Sequence, residues 1–517
     1  MKSLIENRFG LLALVLVALG ALYGVAYASR PAPVVHTPPK PVRALMESLT
    51  TVCPSPGGSR VSVVTPPGAQ GQGSATVGEI KEAPAPGEGA PPQDPPGKDA
   101  PQKGAPQKGV PQKGAKKGAA DKAEKPPTAL EQPGVLWQQD MKAGTAPLAV
   151  AGTGSMAAGL EAAQTARLDA GSQRGLASTR CVEPGADAWF VGPGPAAAAM
   201  TLYLTNADSA PANVEVMIYA GEGPVLSDRG SGMVLQPGEH RTVKLSDLAP
   251  SPLVMAVEVS TSGGRVAAAI KAVLGKDKGV DWLPVAAPPS TQVVVPGIPG
   301  MAGLRELYVT APGEQDTVVQ VKAVLKDGSY ALKNKETVDV LAGSTSTFDL
   351  STGIGGQPAA IVLTSDVPII AGMKITGTGL SQDVAFTAGA SPIDLGSVVA
   401  DNRVTRKQES RLVLSAPSAE ATLKVQLVPK RGAVPEPVEV KVPAARTKEI
   451  KLAAPPGGES GFSVVIQPQP GSGPVYGGRV LIEDTPSGQL ITVQPLAPAT
   501  IWALVPPTAD SPSAVLP

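Results

Sequence analysis

The chain has 517 residues, enough for three or four domains, and its 44 Lys and Arg balance 44 Asp and Glu. A net charge of zero leaves no global field to draw nucleic acid, so nucleic acid is not an expected partner. Its 58 Gly and 56 Pro stop short of a wholly disordered composition, and aromatics at 3% leave Val, Leu, Ile and Ala to fill the cores.

Residues 1–8 read as a cytoplasmic tail and residues 9–28 as a transmembrane anchor, because FGLLALVLVALGALYGVAYA carries no charge and is long enough to span a bilayer as a helix. A secretory signal has a shorter apolar core of about 7–15 residues, which favours a retained, single-pass signal anchor. Ala26-Tyr27-Ala28 has the form of a cleavage site, so secretion after cleavage near Ala28 is the alternative. Lys2 and Arg8 on one side and Arg30, Lys40 and Arg43 on the other leave the positive-inside rule undecided.

Residues 29–65 are a Pro-rich spacer and a first β segment, with Cys53 ahead of Arg60-Val61-Ser62-Val63-Val64-Thr65. Residues 66–130 read as a disordered Pro/Gly/Lys-rich insertion that includes the repeat APQKG-APQKG-VPQKG, which has almost nothing apolar to bury. From the first to the last of them, the lysines Lys98, Lys103, Lys108, Lys113, Lys116, Lys117, Lys122 and Lys125 stand against three acids. Cys53 and Cys181, the only cysteines, lack metal-ligand spacing and read as one disulfide in an exported protein. Two unrelated buried thiols are the bland alternative. A bridge across so long a loop stabilises a fold by up to about 5 kcal/mol. It would also make the insertion a loop thrown out from a folded domain rather than a stalk beneath it.

Residues 131–185 mix alternating and helical signals, and Met156-Ala157-Ala158-Gly159-Leu160-Glu161-Ala162-Ala163 reads as one or two helical turns. Beyond them the chain repeats. Leu202-Tyr203-Leu204-Thr205, Leu307-Tyr308-Val309-Thr310 and Leu412-Val413-Leu414-Ser415 open three parallel stretches at equal intervals. Val214/Val216/Ile218, Val319/Val321 and Leu423/Val425/Leu427 alternate like half-buried strands at matching places. Asp281-Trp282-Leu283-Pro284 and Asp383-Val384-Ala385-Phe386 also read as equivalent. A spacing of about 100 residues with six or seven strands suits one β-sandwich each. The expected fold is all-β: tandem immunoglobulin-like sandwiches over residues 186–285, 286–392 and 393–517. A β-propeller-like arrangement of split repeats is the alternative.

The most distinctive stretch outside the repeats runs Gly159-Leu160, Arg174-Gly175-Leu176, Cys181, Pro184-Gly185 and Trp189-Phe190-Val191-Gly192. With the anchor, Cys53 and the opening Leu202-Tyr203-Leu204-Thr205-Asn206, it resembles an uncharacterised family of actinobacterial, membrane-anchored proteins classed as a domain of unknown function. The resemblance implies a place on the outer face of a cell envelope; it supplies no activity and no site residues. Trp189 and Phe190 themselves read as core side chains, with a surface patch as the alternative.

Catalytic constellations are not found. No Ser sits in a G-x-S-x-G elbow, and the two histidines, His36 and His240, lie far apart. Two cysteines alone hold no structural zinc, and phosphate-loop and dinucleotide fingerprints are missing. Asp247, Asp349 and Glu449 recur near strand ends, yet sugar-binding aromatic platforms are few. The expectation is a non-enzyme without cofactor or metal. It would be an extracytoplasmic scaffold or interaction module for cell-wall or surface-polymer assembly, single-pass at the cell membrane. Its expected partner is an envelope protein or a wall polymer. The rival is a wall- or carbohydrate-binding module that uses the eight lysines on anionic polymers; a secreted hydrolase is the third reading.

Overall fold

A computed structural model describes residues 8–28, 42–68, 70–82 and 127–505. Two compact units make it up, and the smaller holds the N-terminal helix, Arg8–Ala28, of 21 residues. The described side chains on that helix run from Leu11 to Val25, with Tyr27 beyond them. Their Leu, Val and Tyr members are exposed. Among the described residues no helix is long and apolar enough to cross a membrane. The strand Val42–Leu45 pairs with Trp502–Val505 as a two-stranded sheet.

The larger unit is all-β, as expected, and contains four sandwiches rather than three. In sandwich I the strands Ser48–Cys53, Leu148–Gly154, Gly73–Glu79 and Thr128–Leu130 form one sheet, and Trp137–Asp140, Arg60–Val64, Glu161–Leu168 and Gly175–Arg180 the other. Sandwich II pairs Asp187–Pro193, Val254–Gly263, Ala212–Ala220 and Gly223–Val225, facing His240–Lys244, Ala199–Thr205, Ala267–Gly275 and Gly279–Leu283. Sandwich IV does the same with Ser397–Asn402, Phe462–Pro468, Ala421–Pro429 and Val438–Val442, facing Arg446–Lys451, Gln408–Ala416, Tyr476–Thr485 and Gly488–Pro495. In sandwich III one 18-residue strand, Ala359–Thr376, serves both sheets. Its first half pairs with Ser290–Ile298 and Thr317–Val324, and its second half with Arg305–Ala311 and Val384–Ala388.

Numbered within a sandwich, the strands of one sheet run first, sixth, third, fourth, and those of the other fifth, second, seventh, eighth. An immunoglobulin sandwich sets its first two strands side by side in one sheet. Here they lie in opposite sheets, and eight strands stand where six or seven were expected, so neither strand number nor strand order follows the immunoglobulin pattern. Nor do the sheets have a propeller's form, since no described sheet is made of four strands consecutive in sequence.

Alternation fixes the register. Along Ala212–Ala220 and Thr317–Val324 every second side chain is buried, which points Val214, Val216 and Ile218, or Val319 and Val321, into the cores. Two expectations are corrected in sandwich I. The stretch 66–130 was expected to be disordered throughout, yet Gly73–Glu79 and Thr128–Leu130 are paired strands, because Ala75 and Val77 alternate inward into its core. The helical turns expected at Met156 are a turn that leads into the strand Glu161–Leu168, with Gly159 at φ +72°.

The sandwiches close into a ring, each laying the outer face of its first sheet on the second sheet of the next. Val52 and Ile80 of I meet Ala267 of II. Trp189, Val191 and Ala256 of II meet Tyr308, Ile370 and Ala388 of III. Val293 and Val295 of III share a cluster with Val413, Val480 and Val493 of IV. Val398, Ala400, Val428 and Val465 of IV meet Leu136 and Ala163 of I. A polar contact repeats with the packing: Thr345 Oγ1 donates to the Tyr219 carbonyl at 2.7 Å, and Thr447 Oγ1 to that of Val324 at 2.6 Å. The C-terminal stretch returns to sandwich I, where Gly159 N donates to Thr500 O at 3.1 Å and Met46 N to Ile501 O at 3.0 Å.

Cys53 and Cys181 are bonded across 128 residues of sequence, and both are buried. The bridge ties the first strand of sandwich I to the residue that follows its last strand, enclosing the insertion as expected. Cys53→Ser should lower stability by about 2–5 kcal/mol, read as a drop in the denaturant midpoint. A midpoint unchanged by substitution and by reductant would show that the bridge carries no constraint.

Candidate functional site

The last strands of the four sandwiches meet at the centre of the ring, and a single side chain joins them. Asp383, immediately ahead of Val384–Ala388, accepts through Oδ2 from Leu176 N at 3.0 Å and Ile491 N at 2.9 Å, and through Oδ1 from Val280 N at 3.3 Å. One carboxylate of sandwich III thereby touches the last strand of each of the other three. The strands approach so closely that glycine is required around it. A Cβ on Gly279, at φ +96°, would lie 2.5 Å from Asp383 Oδ1, and one on Gly175 would lie 2.7 Å from it.

Further along the same strands Asp281 repeats the arrangement. Its Oδ1 accepts from Ser178 N and Thr492 Oγ1 at 3.1 Å each. Both aspartates are 0% exposed. Burial pushes Asp383 up to about 7 against the pull of its amide donors, and pushes Asp281 well above the ordinary carboxylate range. The two had read as equivalent repeat ends, but their registers differ. Asp281 lies opposite Ala272 in its hairpin, whereas Asp383 precedes the first pair, Val384 with Thr376. Below this level the axis is shut. Buried Arg174 donates to Thr485 Oγ1 at 3.0 Å, Gly488 O at 3.2 Å and Ser381 O at 3.3 Å, across the turns before the last strands.

At the other end the axis widens into a pocket of about 320 Å³, lined by the ends of the last strands of I, II and IV and by the segments that follow all four last strands. Its walls are mainly apolar, with Trp282, Ala390 and Ala497 among them. On one side Arg180 grips Glu161 through Nε and Nη2 at 2.5–2.9 Å. At the floor, Ser178 Oγ and Gln494 Oε1 each accept from Nη2 of Arg479 at 2.8 Å. Arg479 is 0% exposed, burial pulls it down to about 10, and its Nε and Nη1 have no partner.

Of the residues singled out by sequence, the structure brings Cys181 to this pocket. The eight lysines from Lys98 to Lys125 lie outside the described residues. Trp189 is buried between sandwiches II and III, stacked on Tyr219 at 5.7 Å, and Phe190 is buried in the core of II. His240 is an exposed strand residue. Asp349 and Glu449 are engaged locally, with Ser351 and with Gly300 and Arg411 respectively. Among the described residues no group of three or more His, Cys, Asp or Glu is placed to hold a metal. Asp383, Asp281 and Arg479 were not recognised from sequence. Their one local signal is a charge inside an otherwise buried strand, clearest in Gly-Val-Asp-Trp-Leu at 279–283.

The raised Asp383 carboxyl gives a pH dependence of definite sign. As pH rises the unfolded carboxyl, near 3.9, releases its proton first, while the folded one holds it to about 7. The stability this group contributes is full below about pH 4 and is lost by about pH 7. Asp383→Asn, which does not titrate, should flatten the fall in denaturant midpoint between about pH 4 and pH 7. Equal falls in both proteins would remove Asp383 as its source.

A family of unknown function (DUF5719) matches residues 136–453, from the fifth strand of sandwich I into sandwich IV. No curated protein and no solved structure matches the chain. The resemblance to a domain-of-unknown-function family is borne out: the chain belongs to the DUF5719 family.

Proposed function

We propose that this protein is a non-catalytic interaction module on the outer face of a cell envelope, held to the membrane by its N-terminal helix and receiving its partner at the axial pocket. The observation that carries the reading is the pocket itself. It is assembled from three of the last strands and the segments that follow all four, whose positions are locked by buried hydrogen bonds, and such preorganisation spares a binding site the cost of ordering. The charged groups on its walls are engaged in binding one another, Arg180 with Glu161, or the chain's own end, Glu183 with Thr500. The location rests on two features. A buried disulfide belongs to oxidising compartments. The helix Arg8–Ala28 carries no charge after Arg8, and its described Leu, Val and Tyr side chains are exposed, an apolar surface that favours lipid over water.

A membrane-impermeant maleimide should label Ser391→Cys, an exposed position on the pocket, in intact cells. Labelling only after lysis would place the ring on the cytoplasmic side and end this reading.

The second reading, adhesion to anionic wall polymers through the eight lysines, has one structural feature in its favour. The insertion departs between two paired strands, Gly73–Glu79 and Thr128–Leu130, so its removal leaves a hairpin intact. With residues 83–126 deleted, the ring-centred reading expects retention of protein partners captured by crosslinking. Salt-sensitive binding to purified sacculi that vanishes with the deletion would transfer the function to the lysines.

A further inference from the structure

We infer that the axial pocket binds a small amphiphilic carboxylate, an acid group on a short aliphatic chain, with the acid at the floor beside Ser178 and Gln494. This rests on the reading of the pocket as the binding surface and adds the class of ligand.

No described carboxylate hydrogen-bonds the guanidinium beneath the floor. Arg479 uses only Nη2, on Ser178 Oγ and Gln494 Oε1, and leaves Nε and Nη1 buried without partners. A desolvated guanidinium ordinarily lies against a carboxylate, because a buried charge without a counter-ion costs several kcal/mol. The nearest acids, Asp401, Asp281 and Glu161, act on it through space without a hydrogen bond to it. Glu161 is taken by both arms of Arg180, and Asp401 accepts from Gln138 Nε2 at 3.3 Å. Asp281 accepts from Ser178 N and Thr492 Oγ1. An anionic oxygen at the floor would meet the Ser178 hydroxyl and the Gln494 amide, with the Arg479 charge directly behind them. The wall supplies another unused polar atom, since the Thr51 hydroxyl is buried without a partner.

Above the floor the lining turns apolar, with Trp282, Ala286, Val493 and Leu496. A volume of about 320 Å³ lies at the small end of ligand pockets and suits an acyl chain rather than a folded partner. A neutral alcohol of equal length would bury the same apolar surface and forgo the charge. A dicarboxylate would leave its second charge among walls that are mainly apolar and whose one described cation, Arg180, is already bound to Glu161.

The test is calorimetry on the full-length protein in lipid nanodiscs, with empty discs as the blank and hexanoate and hexanol as probes. Hexanoate should bind saturably and at least about tenfold more tightly than hexanol, the margin of a charge-assisted hydrogen bond in a dry site. Arg479→Met should bring hexanoate down to the level of hexanol. Gln494→Glu, equal in size, gives Arg479 an internal counter-ion. It should abolish the preference for hexanoate over hexanol, and so covers the case in which Arg479→Met fails to fold. Equal binding of the two probes, no saturable hexanoate binding, or an undiminished preference in Gln494→Glu would overturn the inference. Such a result alongside normal labelling of Ser391→Cys would remove the ligand class and leave the location of the ring standing.

Discussion

Four sandwiches packed around one line present a problem at the centre: their innermost strands carry amides that point at one another and have no water to bind. Asp383 solves it by asymmetry. A single carboxylate offers four lone-pair sites, and here they accept amides from three neighbouring sandwiches at once. Leaving even one such donor unpaired costs about 1–3 kcal/mol. The ring therefore depends on this group for the spacing of its strands, and Gly175 and Gly279 record how tight that spacing is. Asp281 performs the same service one level up. Neither accepts a hydrogen bond from a cation, and burial dominates their proton affinity.

The same asymmetry shapes the pocket. Asp281 draws on Ser178 through the backbone amide, leaving the Ser178 hydroxyl to turn toward Arg479. Arg479 in turn holds Gln494, so the floor is fixed by a chain of contacts that begins at the ring's centre. The floor is then a property of the assembled ring, because no single sandwich contains more than part of it.

Much of the architecture could be read in the sequence because it is written locally. Alternation at Val214, Val319 and Leu423 set the strands, equal spacing of the three openings set the repeats, and an isolated pair of cysteines set the bridge. Sandwich I escaped because its third and fourth strands are separated by the lysine-rich insertion and because Ala75 and Val77 are too short a run to stand out. Strand order escaped for a different reason: antiparallel hairpins look alike whichever sheet they join. Asp383 looked like the end of a repeat, and nothing in its neighbourhood along the chain announces the amides of Leu176, Val280 and Ile491. Those partners lie 103–207 residues away. A site made by ring closure is legible only once the ring is known.

The head-to-tail packing carries a consequence for how such a molecule assembles. Each sandwich presents one kind of face to the next and the opposite kind to the one before, which is the geometry of a cyclic tetramer drawn in a single chain. Four separate copies would have to find one another at a rate set by their concentration. Fused in series they need only fold, and the last quarter meets the first at the effective concentration of a tether. Fusion also frees the quarters to differ. A homotetramer would have to place four carboxylates, or none, on its axis, whereas this chain places Asp383 in one quarter and lets the other three supply the donors.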